Sequence, residues 1–147
     1  DKKLLRECAN CTAVAPEKFW SIPTDILIPA SVTDVINETN KNDIRAKIIV
    51  EGGNIPMSEA IERELSARGI LIVPDIIANA GGVISSYAEY RGYNPKRMFE
   101  LVERKITATA RAVLERSAAT GRNPRDTALD TAQEKIRHAN TAKRQRG

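Results

Sequence analysis

Residues 46–83 read AKIIVEGGNIPMSEAIERELSARGILIVPDIIANAGGV and contain two apolar runs, Ile48–Val50 and Ile70–Val73, on either side of a helical pattern. Continuous β-branched runs are typical of strands that are buried on both faces of a parallel sheet. Between them, Ser58 can cap a helix over residues 59–68 whose apolar side chains share one face. The stretch therefore predicts a β-α-β unit.

A third apolar run, Ile26–Ile28, begins 22 residues before Ile48, which in turn lies 22 residues before Ile70. Parallel neighbours need a crossover between them, and Asn37 can cap a short helix through Thr39 to Ile44. We therefore predict an α/β fold, with a partial Rossmann-like (doubly wound) parallel sheet of about three strands and right-handed crossovers.

The spacing of apolar residues after the sheet predicts C-terminal helices. The first runs from about Pro95 to Ala119, and Gly121 breaks it. A last helix can open at Asn123 or at Asp126, since both residue types are good caps. Residues after Ala139 have no apolar periodicity, and we expect them to fray.

These patterns divide the chain into a strand–helix core at 16–90, terminal helices at 91–139 and a basic tail at 140–147. The 147 residues hold 23 Lys and Arg against 19 Asp and Glu, a formal charge of +4. That excess lies within residues 131–147, because the first 130 residues are balanced. The chain also lacks the basic–aromatic alternation that suits base stacking. We expect no nucleic-acid partner, and a nucleic-acid binder is the least favoured function.

The most apolar stretch, residues 70–84, is interrupted by polar residues and is shorter than the roughly 20 residues of a membrane helix, so we expect no membrane partner. Zinc binding by Cys8 and Cys11 would need further ligands, and the single histidine, His138, is far along the chain. We expect no metal site and two reduced thiols in a cytoplasmic protein, with thiol exchange as the alternative. The chain opens at Asp1 without a signal-peptide pattern, and we expect a fragment of a longer protein.

Small and polar residues follow each predicted strand, at Pro29–Ser31, Glu51–Asn54 and Pro74–Val83. Ligands of open parallel sheets bind at the carboxyl ends of the strands. A neutral amide beside glycine can both donate and accept hydrogen bonds, which suits ribose hydroxyls or a carboxamide. We therefore favour a nucleotide-like ligand over the alternative of ordinary tight turns. The chain contains no Gly-x-Gly-x-x-Gly, so a pyrophosphate-binding half would have to precede Asp1.

Two carboxylates, Glu51 and Asp75, follow neighbouring predicted strands. Paired carboxylates can act as general acid and base. The favoured interpretation is instead that Glu51 orients a loop or a ligand hydroxyl, while Asp75 caps or braces the following turn. His138 lies in a polar, basic segment, and we expect it to be a solvated surface residue.

Three segments, DILIPA at 25–30, AKIIVEGGN at 46–54 and VPDIIANAGGVISSYAE at 73–89, resemble the C-terminal half of the cofactor domain of glutamate dehydrogenases. That group belongs to the wider glutamate/leucine/phenylalanine/valine dehydrogenase family. The segments occur in the family's order and at its spacing, and the resemblance is strongest over residues 16–90. It implies that residues 1–147 are the C-terminal part of a dinucleotide-binding domain.

The resemblance implies NAD(P)-dependent oxidative deamination of an amino acid to its 2-oxo acid, with NAD or NADP as cofactor. By motif, Ala30 and Ser31 would lie along the nicotinamide side of the cofactor, with Gly53 beside it. Asn54 would contact the nicotinamide ribose, and Asn79 the carboxamide or the substrate's α-carbon groups. Ser31 and Gly53 stand where the family usually has alanine, so an altered cofactor fit or preference is expected.

On the substrate side, the resemblance implies that Val83 and Ser86 face the amino acid, with Ser86 bonding a side-chain carboxylate as in glutamate enzymes. The family's catalytic lysine and aspartate come from an upstream domain. We therefore expect no catalytic residue in this chain and no catalysis by the chain alone, and we expect the parent enzyme to be a homo-oligomer. The alternative is a non-catalytic binding or assembly module derived from the same fold.

Overall fold

A three-stranded parallel sheet lies at the centre of the computed structural model, which describes residues 12–144. The strands are β1 (Ile26–Leu27), β2 (Ile48–Val50) and β3 (Leu71–Val73), in the order β1-β2-β3. Both pairings are parallel, with Ile49 opposite Leu27 on one side and Ile72 on the other. The predicted α/β class and the strand number are confirmed.

Two 3₁₀ turns and five α-helices complete the described part of the chain. The turns are Pro16–Ser21 and Lys41–Asp43, and the helices are α1 (Glu59–Ala67), α2 (Asp75–Ala78), α3 (Gly81–Tyr90), α4 (Pro95–Thr120) and α5 (Pro124–Arg144). Among the described residues, no helix is both long and apolar enough to cross a membrane. Cys8 and Cys11, for which reduced thiols were predicted, lie outside the described residues.

Helix α1 crosses over between β2 and β3 as predicted. The Ser58 hydroxyl accepts a hydrogen bond from the Ile61 N–H at 3.4 Å, and Gly69 follows the helix with φ +88°. Ile61 and Leu65 are buried in the main core with apolar residues of the sheet and of the first crossover. This core contains Ile36, Ile44, Ala46, Ile49, Met57, Ile61, Leu65, Ile70 and Ile72.

The first crossover differs from its prediction, because no α-helix forms between Thr39 and Ile44. The Asn37 side chain accepts from the Thr39 N–H at 3.0 Å, and the Asn40 side chain donates to the Val35 carbonyl at 2.9 Å. These local bonds satisfy backbone groups in a turn and so compete with a helix. Only the short 3₁₀ turn remains.

The prediction that all three strands are buried on both faces is wrong for the two outer strands. Ile26 of β1 is 51% exposed and Leu71 of β3 is 42% exposed, whereas Ile49 of the central strand is fully buried. Ile28, which follows β1, is 60% exposed. The physical reason is position, because β1 and β3 are edge strands that each pair with β2 alone among the described residues.

Helices α4 and α5 pack together beyond the sheet. Asn94 caps α4 through the Arg97 N–H at 2.9 Å, and Gly121 ends it with φ +67°. Ile77, Val113 and Ala128 form a second, smaller core between α2, α4 and α5.

Helix α5 opens at Asn123 rather than Asp126, since the Asn123 side chain accepts from the Arg125 N–H at 2.7 Å. The helix also continues through Arg144, so the predicted fraying is wrong for residues 140–144. Adding a residue to an existing helix needs no new nucleation, and Ala142, Lys143 and Arg144 are good helix formers.

Candidate functional site

The carboxyl ends of β2 and β3 bring two predicted site residues into contact. The Asn79 side-chain amide donates to the Asn54 side-chain oxygen at 2.5 Å and to the Gly53 carbonyl at 3.1 Å. Asn79 is the C-terminal cap residue of α2, and Asn54 belongs to the turn that follows β2. Asn54 is exposed and Asn79 half-buried, so the pair forms part of the surface at this edge.

Close backbone packing joins the β1 end to the β2 end. The Gly53 N–H donates to the Pro29 carbonyl at 2.8 Å. A Cβ placed on Gly52 would lie 3.1 Å from both the Ala30 Cβ and an Ile28 methyl, whereas the nearest atom to a Cβ on Gly53 is 3.5 Å away. A methyl group at position 52 would therefore require Ala30 or Ile28 to move by a few tenths of an ångström, whereas one at position 53 would make ordinary van der Waals contacts.

Ala30 and Ser31 are exposed and lie at the rim of an apolar groove of about 480 Å³. Trp20, Leu27 and Val35 are among its other lining residues. The groove thus adjoins the glycine turn and offers a flat ligand an apolar wall next to small side chains.

The predicted substrate residues stand apart from this group. Val83 and Ser86 lie three residues apart on α3, and both are exposed, Val83 to 77%. The Ser86 hydroxyl donates to the Gly82 carbonyl within the helix at 3.1 Å, and no hydrogen bond among the described residues joins it to Asn54 or Asn79. The helix does begin at Gly81, two residues after Asn79.

Backbone strain marks the turn after Asn54. Ile55 has φ +46°, a left-handed conformation that a β-branched residue rarely adopts. Its N–H donates to a carboxylate oxygen of Asp75 at 2.9 Å, and its carbonyl accepts from the Asp34 N–H at 3.0 Å. Strained residues persist where the surroundings hold them, and they cluster at functional sites.

Three carboxylates surround the guanidinium of Arg125, which lies in the first turn of α5. Arg125 donates to Glu51 at 2.6 Å, to Asp75 at 3.0 Å and, through its Nε, to Glu62 of α1. The side chains of Glu51 and Glu62 are 0% and 2% exposed. One cation thus links the ends of β2 and β3 to two helices.

Burial sets the protonation of this cluster. It raises the pKa of Glu51 from 4.5 to about 7, against the opposing effects of the Asp75 N–H and of Arg125. Burial also raises the pKa of Glu62. Desolvation acts on Asp75 in the same sense, but hydrogen bonds from Ile55 and Arg125 outweigh it and hold the pKa of Asp75 below its ordinary value.

The roles of Glu51 and Asp75 follow the favoured structural interpretation. Asp75 accepts from the Ile55 N–H and, at 2.8 Å, from the Ile76 N–H, so it braces two turns. One Glu51 oxygen accepts from the Asp75 N–H at 2.7 Å, while the other has no partner among the described residues. Because Glu51 is fully buried, it orients the loop and is not at the surface where a ligand hydroxyl would bind.

Sequence reasoning missed Arg125 and the strain at Ile55. Glu51, Glu62 and Asp75 lie far from Arg125 in the sequence, so no short-range pattern indicates that these three carboxylates share one cation. His138 is exposed, as predicted.

The side chains of Asn54 and Asn79, here called the amide pair, have the donors and acceptors that a nicotinamide nucleotide needs. The Asn54 Nδ2 and the Asn79 Oδ1 make no hydrogen bond within residues 12–144, so one donor and one acceptor remain available at the edge. Ribose hydroxyls and a carboxamide both donate and accept. The residues present therefore fit the nicotinamide half of such a cofactor.

Comparisons with known proteins point the same way. The sequence profile of the glutamate/leucine/phenylalanine/valine dehydrogenases matches residues 2–144. Glutamate dehydrogenase B of Halobacterium salinarum is 35% identical over 133 residues, which cover 86% of this chain and 31% of the relative. The NADP-specific glutamate dehydrogenase of Saccharolobus shibatae is 47% identical over 77 residues, 52% of this chain and 18% of the relative.

Solved structures share the fold. L-tryptophan dehydrogenase from Nostoc punctiforme superposes with a TM-score of 0.79 at 28% identity, over 87% of this chain and 38% of that one. The hetero-hexameric glutamate dehydrogenase from Thermus thermophilus, in its Leu-bound form, gives a TM-score of 0.75 at 25% identity, over 94% of this chain and 34% of that one. This chain therefore spans less than two-fifths of each of these proteins. With the matching motifs at all three strand ends, the chain belongs to the glutamate/leucine/phenylalanine/valine dehydrogenase family.

Proposed function

We propose that this chain forms the nicotinamide side of the NAD(P) site of a glutamate-type amino-acid dehydrogenase. The observation that carries the proposal is the contact between Asn54 and Asn79 at the carboxyl ends of β2 and β3. Family membership supports it, as do the small residues Ala30, Ser31 and Gly53 beside the pair.

When bound, the cofactor supplies a nicotinamide ring that exchanges hydride with the substrate carbon. The residues of this chain bind and orient it. Asn54 would hold the nicotinamide ribose, and Asn79 would hold the carboxamide or the substrate's α-carbon groups. Ala30 and Ser31 would line the ring side, where side chains larger than theirs would narrow the approach.

On the substrate side, Val83 and Ser86 on α3 are proposed to face the amino acid. Their exposure supports this role, because a residue buried within the chain could not reach a ligand. In an active enzyme carrying this chain, Ser86→Ala would raise the KM for glutamate and leave the KM for an uncharged amino acid unchanged. An equal effect on both substrates would contradict a carboxylate contact.

The proposal assigns no catalysis to the chain alone. We propose that residues 1–147 are the C-terminal part of a dinucleotide-binding domain, comprising a core at 16–90, helices at 91–139 and a tail at 140–147. The chain covers only 31% of the Halobacterium salinarum enzyme, which supports the proposal that it is one part of a longer protein. The catalytic residues and the pyrophosphate site would then lie on further polypeptide, and the parent enzyme would be a homo-oligomer.

The test is a titration of the ¹⁵N-labelled chain with NADH and, separately, NADPH, followed by amide NMR. We expect shifts confined to the turns after the three strands, and we expect Asn54→Ala and Asn79→Ala each to weaken binding about tenfold, the loss of one or two hydrogen bonds. Asn140→Ala, an exposed amide on α5, is the matched control. The proposal fails if neither cofactor shifts these amides, or if the control weakens binding as much as the site variants.

A second candidate function is a non-catalytic assembly module. The exposed apolar residues Ile26 and Ile28 along the edge strand favour it, because an unpaired edge is a template for strand addition. Light scattering discriminates between the two functions. An assembly module forms dimers or larger species at micromolar concentration, whereas a monomer that binds NADH supports the first proposal.

A further inference from the structure

The geometry of the amide pair depends on a backbone that is strained next to it. Asn54 directly precedes Ile55, whose positive φ is unfavourable for a β-branched residue. Relaxation of Ile55 would turn Asn54 away from Asn79, since Asn54 and Ile55 are joined by one peptide unit. Contacts from elsewhere in the fold must therefore hold the turn.

Asp75 supplies the side-chain restraint. One of its oxygens accepts from the Ile55 N–H at 2.9 Å, while the other accepts from the Ile76 N–H at 2.8 Å and from Arg125 at 3.0 Å. Asp75 thus connects the strained turn to the first turn of α2, and α2 ends at Asn79. A shift of Asp75 would move both members of the amide pair.

Arg125 fixes Asp75 from outside the sheet. The Asn123 side chain caps the Arg125 N–H at 2.7 Å, which anchors the start of α5. The guanidinium also engages Glu51, directly before Gly52, and Glu62 on α1. A planar, always charged fork can hold three carboxylates in fixed directions, whereas the flexible ammonium of lysine cannot.

We propose that Arg125 is a positioning residue that holds the Asn54–Asn79 pair in its ligand-binding geometry through Asp75, and that Glu51 is the member of the cluster whose protonation tunes this hold. This deepens the proposed function and rests on it only where NADH binding is measured. Arg125 and Glu51 touch neither cofactor nor substrate in this assignment.

Charge balance identifies Glu51 as the proton acceptor. The cluster consists of Arg125 from α5 and three carboxylates, Glu51 at the end of β2, Glu62 from α1 and Asp75 from α2. Further out, Arg63 pairs with Glu59 and Asp126. Three carboxylates against one guanidinium leave a buried negative excess, which protonation reduces. Glu51 is fully buried and has one oxygen without a partner among the described residues, so that oxygen can carry the proton.

The first experiment follows the Ile55 backbone amide and the Asn79 side-chain amide of the ¹⁵N-labelled chain from pH 5 to pH 9. We expect both signals to move together with a midpoint near 7, the pKa of Glu51. Glu51→Gln, which mimics the protonated carboxyl, should fix both signals at their low-pH positions. If Glu51→Gln leaves the full movement in place, the assignment to Glu51 is overturned.

The second experiment replaces Arg125. Arg125→Met should displace or broaden the Ile55 and Asn79 signals and weaken NADH binding about tenfold, with Arg125→Lys showing the same effects at smaller size. The matched control is Arg116→Met, which breaks a two-bond contact with Glu134 on the surface and should leave these signals and NADH binding unchanged. Unchanged signals in a folded Arg125→Met chain overturn the positioning role.

The experiments distinguish failure of this positioning role from misfolding of a variant and from failure of the proposed function. Should Arg125→Met fail to fold, Glu51→Gln and Arg125→Lys still decide the proposal through the amide signals. Should the unmodified chain fail to bind NADH, the proposed function fails, while the amide signals still report whether Arg125 and Glu51 hold the turn.

Discussion

Gly52 and Gly53 are neighbours, but an added methyl group would be crowded only at position 52. A Cβ at position 52 would approach two side-chain carbons at 3.1 Å, while one at 53 would meet atoms no nearer than 3.5 Å. We expect Gly52→Ala to destabilise the chain by about 1–3 kcal/mol through overpacking, and Gly53→Ala to change stability by less than about 0.5 kcal/mol. Urea unfolding measures both, and equal effects would contradict the structure.

The same pair bears on cofactor fit at the residue scale. Gly53 stands where the family usually has alanine, and the room at this position shows that the fold itself does not demand glycine. The missing methyl therefore leaves extra space at the edge near Ala30. A cofactor titration of Gly53→Ala reports whether that space affects binding.

Burial of Glu51 makes stability depend on pH. Its pKa rises from 4.5 to about 7 on folding, so its contribution is complete below pH 4.5 and is lost as the pH rises through about 7. The loss amounts to about 3 kcal/mol at most. Glu62 acts in the same direction, whereas the lowered pKa of Asp75 matters only near and below 3.8.

In the Glu51→Gln chain, most of the decline in the free energy of unfolding between pH 4.5 and pH 7 should accordingly disappear. Urea unfolding at a series of pH values measures the slope for both chains. An equal decline in the wild-type and Glu51→Gln chains would contradict the assignment of this pH dependence to Glu51.

At the scale of elements, two helix caps allow a matched comparison. Asn94 caps α4 and Asn123 caps α5, at 2.9 and 2.7 Å from the respective backbone nitrogens. We expect either residue's change to Ala to cost about 1 kcal/mol in thermal or urea unfolding. Only Asn123→Ala should also shift the Ile55 amide, because Asn123 anchors Arg125. Equal spectral effects of the two variants would contradict that link.

Elements with local signals could be predicted, and those that depend on distant contacts could not. Ser58, Gly69 and the apolar spacing determine α1 within a dozen residues, so the sequence predicts it closely. The helix predicted in the first crossover does not form, because the side chains of Asn37 and Asn40 make hydrogen bonds with backbone groups there.

The candidate site divides in the same way. Asn54 and Asn79 could be placed because parallel strands end at one edge of the sheet, which any strand prediction supplies. Arg125 could not, since it meets Glu51 across 74 residues and no pattern of short range encodes that contact. The positive φ of Ile55 is unfavourable for a β-branched residue. It is held by the contact with Asp75, which lies 20 residues away in the sequence.

At the scale of the whole molecule, we predict that the basic tail, residues 140–147, contributes little to the stability of the rest of the chain. Residues 139–141 are exposed, and the three basic residues within 140–147 carry much of the formal charge of +4. Deletion of residues 140–147 should therefore change the melting temperature by less than about 2 °C while removing a few residues of helical circular dichroism. A larger fall in melting temperature would show that the tail packs on the body.

The Arg125 cluster also bears on the order in which the chain acquires its structure. Its three contacts span 50, 63 and 74 residues, whereas α1 and α4 form from neighbours in sequence. Long-range contacts form late, because closing a long loop lowers the entropy of the chain before the new contact stabilises it. On the ribosome, the amide pair would thus acquire its final geometry only after α5 had emerged, so the ability to bind a ligand would follow the synthesis of α5.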